Sequence, residues 1–354
     1  MNFKKLSVLF CFLLALTSVT AVSAAETETV SETEAASAEE STVSVADGET
    51  EYPITIQHAY GETVIESKPE RIATVGWENQ DTPLALGIAP VGVSAANYGM
   101  VKENNLHPWT DEAFQELGVD APNVFDDVDG LDFEAISDCD PDVILASYSG
   151  LTQEDYDTLS QIAPVIPYKE NAWQTTWRDQ TIENAEGMGM KAEGEAKVAE
   201  VEQLIQDRLA EYPDLKGTKT AFCWINADDL SSFYIYLPSA DPRAAYLLDL
   251  GLELPESVTR LAGDSTDFNI TVSRENADQL SDVDMIVAYG DETLLDALQQ
   301  DELMSQIPAV KNGAVALIDS TTALAGAATP SILSIPAEID DYLSLLSAAQ
   351  EKIK

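Results

Sequence analysis

The chain is poor in positive charge and in histidine. Its 18 Lys and Arg stand against 63 Asp and Glu, which gives a formal net charge of -45. This excludes a nucleic-acid partner held by a general basic surface and disfavours docking onto anionic lipid headgroups, because both need clustered Lys and Arg. The two histidines, His58 and His107, are too few for the imidazole-rich sites that usually capture zinc directly. We therefore expect no metal site of the protein's own.

Cysteines are equally scarce. Cys11 lies inside an apolar segment, and Phe10 occupies the place where lipoprotein processing requires a small residue, so we do not expect a lipid anchor. Cys139 and Cys223 fall in different halves of the chain, and we expect no structural disulfide although export would permit one.

The chain has one notable apolar run, Leu6 to Val19, which follows two lysines and precedes the small residues Ala21 to Ala25. It is shorter than the roughly 20 residues of a membrane-spanning helix. Residues 1–25 are predicted to be a signal peptide, so we expect an exported protein, periplasmic or associated with the cell surface. Residues 26–51 contain no Lys or Arg and are predicted to form a disordered acidic linker. The remainder is expected to be a monomer without membrane insertion.

From residue 52 onward, short β-rich runs alternate with helical stretches, which predicts parallel strands with crossover helices. Strands are predicted at 71–77, 91–94, 142–147, 165–168, 219–225, 284–289 and 314–319. Helices are predicted at 81–86, 133–137, 153–162, 242–250, 274–280 and 293–306. A longer helical period at 192–212 lies between the halves. The predicted fold class is therefore α/β, with two Rossmann-like lobes at 52–190 and 214–354 joined by one long rigid helix at 191–213.

Both halves contain the same unit, in which a glutamate precedes a tyrosine by 14 residues: Glu134 with Tyr148, and Glu275 with Tyr289. Asp132 and Ser273 are good helix N-caps, so each glutamate is expected in a first helical turn on an outer surface. Each tyrosine follows a buried strand, and ligands of open α/β sheets bind at the carboxyl ends of strands. The two tyrosines are therefore expected to face each other across a cleft between the lobes.

The chain resembles the substrate-binding proteins of ATP-driven importers that carry a rigid helix between their lobes, the family that binds ferric siderophores, haem and vitamin B12. The matching stretches are Lys68–Gly76, Leu84–Gly92, Asp132–Ile136 with Pro141–Leu145, and Ser273–Glu275; Trp77–Asp81 and Leu106–Thr110 further resemble an iron-siderophore branch. The resemblance implies that Glu134 and Glu275 pair with arginines on the two permease subunits of an ABC transporter. It also implies that iron enters only as a ferric chelate and that no cofactor is covalently bound.

Loops that follow the predicted strands supply the candidate ligand-binding residues. They are Trp77, Asn79, Asn97, Tyr98, Tyr148, Trp173, Trp177, Arg178, Tyr234, Arg243 and Tyr289. Aromatic walls with a few polar anchors suit a large, partly apolar chelate. The four-residue spacing of Trp173 and Trp177 predicts a shared helix face, beside which Arg178 could stack and donate to chelator oxygens.

Charge favours one class of chelator. A ferric catecholate carries several negative charges and is repelled by so acidic a body, unless local arginines outweigh a field that salt screens to roughly 8 Å. Hydroxamate complexes are neutral or cationic and avoid this repulsion. The favoured function is therefore binding of a ferric hydroxamate siderophore for an ABC importer. Haem, ligated by Tyr98 or Tyr148, is the main alternative, and vitamin B12 is a weaker one. An enzyme is not indicated, because the chain has neither a Gly-x-Ser-x-Gly elbow nor a Gly-rich phosphate loop with Lys.

Overall fold

The structure is a computed structural model that describes residues 50–127 and 130–353. The predicted signal peptide and nearly all of the predicted linker lie outside the described residues. Within these ranges, no helix is both long enough and apolar enough to cross a bilayer.

The described chain begins with an antiparallel hairpin of β1 (Ile54–His58) and β2 (Gly61–Ile65). Gly61 occupies the turn at a φ of +121°, which favours glycine. Every second residue of the hairpin faces inward, and Ile56 and Ile65 pack in one apolar cluster with Ile72 and Met188. The hairpin therefore covers one face of the first sheet.

The first lobe is built on a five-stranded parallel sheet. Its strands are β3 (Ile72–Thr74), β4 (Gly92–Ser94), β5 (Val124–Phe125), β6 (Val143–Ala146) and β7 (Val165–Pro167), in the order β5-β4-β3-β6-β7. Its helices are α1 (Asp81–Ala85), α2 (Pro108–Glu116), α3 (Phe133–Asp138), α4 (Gln153–Leu159) and α5 (Trp177–Gly187). The strand order reverses between β3 and β6, and a crevice opens at such a point beyond the carboxyl ends of the strands.

A single long helix, α6 (Lys191–Leu209), connects the lobes. At about 1.5 Å per residue it is roughly 28 Å long. Its buried residues Val198, Val201 and Ile205 join one apolar cluster with Trp177 of α5 and with residues of the second lobe. The helix is therefore packed on both sides, which is consistent with a stiff connection.

The second lobe has a mixed five-stranded sheet. Its strands are β8 (Thr220–Asn226), β9 (Asp229–Tyr236), β10 (Asn269–Ser273), β11 (Met285–Tyr289) and β12 (Val315–Ile318), in the order β10-β9-β8-β11-β12. The pairs β8–β11 and β11–β12 are parallel, as predicted, but β9 pairs antiparallel with both β8 and β10. Neither β9 nor β10 was predicted from the sequence.

Six α-helices of the second lobe complete the fold in the described chain. They are α7 (Pro242–Asp249), α8 (Glu256–Ala262), α9 (Glu292–Gln300), α10 (Pro308–Asn312), α11 (Ala323–Ala327) and α12 (Ser334–Gln350), with 3-10 turns at Pro213–Leu215, Arg274–Leu280 and Met304–Gln306. Cys139 and Cys223 are buried in separate apolar clusters, one in each lobe.

The predicted helix at 293–306 is wrong as one continuous element. Helix α9 ends at Gln300, and Asp301 takes an extended backbone with ψ of 129°. The Asp301 carboxylate accepts hydrogen bonds from the backbone N–H groups of Leu303 and Met304 at 2.9 Å each. This carboxylate therefore caps a new turn instead of letting the first helix continue.

Candidate functional site

A cavity of about 440 Å³ lies between the lobes, at the carboxyl ends of strands in both sheets. The first lobe contributes Trp77, Tyr98, Tyr148, Ala172 and Trp173. The second lobe contributes Trp224, Tyr236, Asp241, Arg243, Phe268, Tyr289 and Thr329. Eight of these twelve residues are aromatic, so the walls offer flat apolar faces with few polar groups.

Trp77 and Tyr148 follow β3 and β6, the two strands between which the strand order reverses. The backbone N–H of Trp77 donates to the backbone carbonyl of Tyr148 at 3.1 Å, and this hydrogen bond joins the two loops. Asn79 is fully buried behind them, and its amide donates to the carbonyls of Val75 and Tyr148 at 2.8 and 2.9 Å. Asn79 does not line the cavity. It positions the two loops that do.

Trp173 is held over Tyr148 by an unusual backbone. Its φ of +61° lies in the left-handed region, and its N–H donates to the carbonyl of Ser149 at 3.1 Å. The two rings meet edge to face with centroids 5.3 Å apart. A Cβ at Gly150 would lie 2.4 Å from the indole nitrogen of Trp173, so only glycine leaves room for the ring there. Trp173 is 47 % exposed and presents a face to the cavity.

Tyr98 reaches the second lobe on the loop that follows β4. Its ring meets that of Tyr289 edge to face, with centroids 5.4 Å apart. Two residues on, the Met100 N–H donates to the carbonyl of Thr322 at 2.9 Å. A Cβ at Gly99 would lie 2.7 Å from the backbone nitrogen of Gly326 in α11. The loop therefore lies directly on the backbone of the second lobe.

Asp241 and Arg243 are the charged residues among those that line the cavity in the described chain. Arg243 donates to both carboxylate oxygens of Asp241, at 3.1 and 2.6 Å, and its guanidinium lies 3.9 Å from the ring centroid of Tyr236. Burial works against the Arg243 charge, but the Asp241 carboxylate outweighs it and raises the pKa of Arg243 above its ordinary value. The Arg243 guanidinium therefore stays charged, and its salt bridge with Asp241 leaves no uncompensated cation in the cavity wall.

Burial raises the pKa of Tyr148 and of Tyr289 well above the usual range, and only part of this is offset by the Arg243 charge. Burial also raises the pKa of Tyr98, again with a partly opposing effect of Arg243. All three phenols are consequently neutral at physiological pH and act as hydrogen-bonding groups and apolar faces.

Sequence reasoning missed several cavity residues of the second lobe: Trp224, Tyr236, Asp241 and Phe268. Trp224 lies within β8 between the buried residues Cys223 and Ile225, and it is 43 % exposed. This alternation was a usable signal, because an exposed tryptophan on a half-buried strand faces a partner or a ligand. Phe268 precedes β10, a strand that the sequence did not indicate.

Trp177 and Arg178 lie outside the cavity. Trp177 is 2 % exposed, and its indole N–H donates to the Asp249 carboxylate at 3.0 Å. Arg178 donates to the same Asp249 oxygen at 2.7 Å and to Glu202 of α6 at 2.6 Å. The predicted helix face shared by Trp173 and Trp177 is wrong, because α5 begins at Trp177. These contacts instead join α5 and α6 to α7 of the second lobe.

Two further predicted residues lie beside the cavity. Asn97 lines a smaller neighbouring pocket on the first lobe. Trp77 and Trp173 line this pocket as well. Tyr234 is 38 % exposed and stacks on Trp224 with ring centroids 5.4 Å apart. Tyr234 therefore supports a wall of the cavity without being part of it.

Glu134 and Glu275 are exposed, one on each lobe. The Asp132 carboxylate accepts from the Ala135 N–H at 3.0 Å, which makes Asp132 the N-cap of α3 and places Glu134 in its first turn. Ser273 caps the 3-10 turn Arg274–Leu280 in the same way by accepting from the Glu275 N–H. Both predicted caps are confirmed, although the second element is a 3-10 turn.

Comparison with known proteins bears directly on this site. Residues 72–322 match the model of the periplasmic binding protein family. The chain belongs to this family. Periplasmic binding proteins of similar structure include PiaA of Streptococcus pneumoniae TIGR4, solved in complex with ferrichrome. PiaA is 48 % identical, with a TM-score of 0.81, over 85 % of this chain and 100 % of that protein.

Curated relatives in the periplasmic binding protein family are more distant. The probable siderophore-binding lipoprotein YfiY of Bacillus subtilis is 25 % identical over 81 % of this chain and 78 % of its own. The Fe(3+) dicitrate-binding periplasmic protein FecB of Escherichia coli is 26 % identical over 77 % of this chain and 84 % of its own. The predicted fold class, two α/β lobes joined by a long helix, is confirmed, and so is the resemblance on which the family assignment rested.

Proposed function

We propose that this protein binds a ferric hydroxamate siderophore in the cavity between its lobes and delivers it to the permease of an ABC importer. The observation that carries this proposal is an aromatic cavity whose only charged side chains, among the described residues, neutralise each other. PiaA, which is 48 % identical to this chain, was solved in complex with ferrichrome, a hydroxamate siderophore.

The charge of the cavity supports a neutral ligand. Three singly charged hydroxamates balance ferric iron, so a complete complex is neutral, whereas a ferric tris-catecholate carries three negative charges. Arg243 is committed to Asp241 through two hydrogen bonds and is not available as an uncompensated cation. An anionic complex would therefore enter an acidic protein with no excess positive charge to receive it.

The shape and surface of the cavity also support such a ligand. Its volume of about 440 Å³ lies within the ~300–1,000 Å³ of small-molecule sites, and the tryptophans and tyrosines present apolar faces to the organic part of a chelate. In the part of the chain that the structure describes, no three His, Cys, Asp or Glu side chains converge as metal ligands. The iron is therefore expected to remain coordinated by the siderophore when the complex binds.

Haem is the less favoured cargo. A tyrosine that ligates haem iron does so as the phenolate, and burial raises the pKa of both Tyr98 and Tyr148. Burial thus opposes the phenolate form that ligation requires, so either tyrosine would have to release a proton at a cost when it binds haem iron. An absorbance titration with haemin checks this point: a Soret shift at stoichiometric haemin would favour haem over the siderophore.

Delivery requires an outer surface as well as a cavity. Glu134 and Glu275 are exposed carboxylates in the first turns of their helices, so each is free to pair with a basic residue of a permease subunit at little desolvation cost. We propose that they are the docking residues, one for each lobe. This role makes the chain a binding component of an importer and assigns it no catalytic step.

Mass spectrometry of the ligand captured from an iron-starved culture tests the proposed function. The protein would be added to the culture medium, recovered and denatured, and the released ligand identified by the isotope pattern of iron and by its fragments. A ferric hydroxamate is expected. A ferric catecholate, haem or a cobalamin as the bound species would contradict the proposal.

A further inference from the structure

Glu78 is an unusual residue directly behind the cavity wall. It follows Trp77, is 3 % exposed, and has a φ of +53°, in the left-handed region that non-glycine residues rarely adopt. Both of its carboxyl oxygens are buried, and neither accepts a well-formed hydrogen bond from the described residues, although the side chains of Ser331 and Trp77 lie close enough to lower its pKa. A buried carboxylate with so few donors is costly, so this side chain requires a specific explanation.

His107 supplies that explanation. Its Nε2 atom faces Glu78 Oε1 at 3.6 Å, and its Nδ1 atom lies 3.2 Å from the Met100 carbonyl oxygen. A carbonyl only accepts hydrogen bonds, so Nδ1 carries a proton and donates it. In a neutral ring Nε2 then carries a lone pair and can only accept a hydrogen bond. It has no hydrogen-bond partner in the described chain.

Two lone pairs would face each other if Glu78 were ionised and His107 neutral. One proton on either group removes this conflict, either as a carboxylic acid whose O–H faces the imidazole lone pair or as a carboxylate beside an imidazolium; the 3.6 Å separation is longer than a hydrogen bond. Burial is the largest cause of both pKa changes: it raises the pKa of Glu78 far above the usual range and lowers that of His107 to about 4. The acid and the neutral ring are therefore the preferred form.

The pair also touches both lobes. The His107 ring stacks on Trp109 at 4.6 Å between centroids and meets Trp77 edge to face at 5.5 Å. On its other side, a Cβ at Gly326 of α11 would lie 2.7 Å from the ring. His107 thus fills the space between a wall of the cavity and the backbone of the second lobe.

The other titratable groups that face Glu78 are Asp81 on the same segment and Tyr148 after β6. Asp81 differs from Glu78 because it accepts three hydrogen bonds, from Trp109 and Thr110 of the first lobe and from Ser331 of the second. Burial raises the pKa of Asp81 to about 7, against the effect of these donors. The residue of the second lobe that contacts this cluster is Ser331, whose hydroxyl does not titrate.

We propose that Glu78 and His107 are positioning residues that share one proton, and that this proton fixes the His107 ring between Trp77 and the backbone of the second lobe, behind the ligand cavity. The inference rests on the proposed function and extends it to the coupling between ligand binding and protonation. Any separation of the lobes admits water to Glu78 and makes its ionisation easier. The closed, ligand-bound form consequently holds the proton more tightly than the open form, so binding takes up a proton and affinity falls as the pH rises.

Calorimetric titration with ferrichrome tests this inference. Measured at pH 8 in two buffers of different ionisation enthalpy, native protein is expected to take up a fraction of a proton on binding, and its affinity is expected to fall by up to about tenfold per pH unit above neutrality. Glu78→Gln keeps the shape and donates an amide N–H to His107 at every pH. It is expected to bind ferrichrome near pH 6.5 within about threefold of native protein, with no proton uptake and a flat pH profile.

The controls separate this inference from the proposed function. Glu338→Gln removes another partly buried glutamate whose pKa burial raises, in α12, and it is expected to keep the native proton uptake. If native protein binds ferrichrome without proton uptake, or if Glu78→Gln keeps the native pH profile, the shared proton is wrong and the proposed function stands. If native protein fails to bind any ferric hydroxamate, the proposed function itself fails.

A second measurement determines the protonation state of His107 in the ligand-free protein. The chain has two histidines, so a His58→Gln variant leaves His107 as the one imidazole in a nitrogen-15 spectrum. A neutral ring protonated on Nδ1 is expected from pH 5 to pH 8. An imidazolium shift that titrates near pH 6.5, or a ring protonated on Nε2 alone, would overturn the assignment.

Discussion

The ring of Tyr98 from the first lobe meets the ring of Tyr289 from the second lobe edge to face, with their centroids 5.4 Å apart. The two residues approach from different sheets, since Tyr289 ends β11 and Tyr98 lies on the loop after β4. The contact exists only while that loop lies on the second lobe, where Met100 donates to Thr322. The pair therefore forms a wall of the cavity and joins the lobes at the same point.

Tyr98→Ala is expected to weaken ferrichrome binding by about tenfold, because it removes both a wall of the cavity and an aromatic contact between the lobes. Tyr98→Phe retains the ring and is expected to bind within about twofold of native protein. Quenching of tryptophan fluorescence measures both affinities. Equal losses in the two variants would show that the hydroxyl, and not the aromatic contact, carries the effect.

Arg243→Met is expected to destabilise the protein by about 3 kcal/mol, because it leaves the Asp241 carboxylate without its cation in a buried site. Asp241 retains the N–H groups at the start of α7, so a larger loss is not expected. Urea unfolding measures the change. The double variant Asp241→Asn with Arg243→Met should recover part of the loss, and a double variant as unstable as the sum of the single changes would contradict this account.

Trp173→Ala and Arg178→Ala distinguish a residue that contacts the ligand from one that stabilises the packing between helices. Trp173→Ala is expected to lower ferrichrome affinity by about tenfold, since its exposed ring faces the cavity. Arg178→Ala is expected to leave affinity within about twofold and to lower stability by roughly 1 kcal/mol, because its ion pairs with Glu202 and Asp249 are partly exposed. A large loss of affinity in Arg178→Ala would show that Arg178 takes part in ligand binding.

Glu134→Lys and Glu275→Lys are expected to abolish ferric-siderophore uptake by whole cells while ferrichrome affinity stays within about twofold of native. Each change costs about 0.3–1 kcal/mol of stability at a helix N-terminus, which is too little to unfold the protein. Glu154→Lys in α4 and Glu292→Lys in α9 are matched controls, because both are exposed glutamates in first helical turns. Uptake should survive in the controls. Survival in the Glu134 and Glu275 variants would remove their docking role.

The parallel strands and the residues at their ends could be predicted from the sequence because their signals are local. Buried apolar runs marked β3, β6 and β11, and the residue at or just beyond the end of each run, as with Tyr148 and Tyr289, lines the cavity. Caps at Asp132 and Ser273 were equally local, since each depends on one side chain and the backbone within three residues.

The rest of the site depends on contacts that no local pattern contains. Trp177 and Arg178 were placed with the ligand because they stand near Trp173, but their partner Asp249 lies 71 or more residues away. Trp224 faces the cavity only because β9 and β10 pair antiparallel beside β8. The role of Glu78 depends on His107 and on the fit of α11 against it, which are set by the packing of one lobe on the other.

A fluorescence titration with two iron complexes tests the central claim most directly. Native protein would be titrated with ferrichrome and with a ferric tris-catecholate at physiological salt. The account predicts tight binding of ferrichrome and at least about 100-fold weaker binding of the catecholate, or ~2.7 kcal/mol of discrimination. Tight binding of the catecholate with no measurable binding of ferrichrome would contradict it.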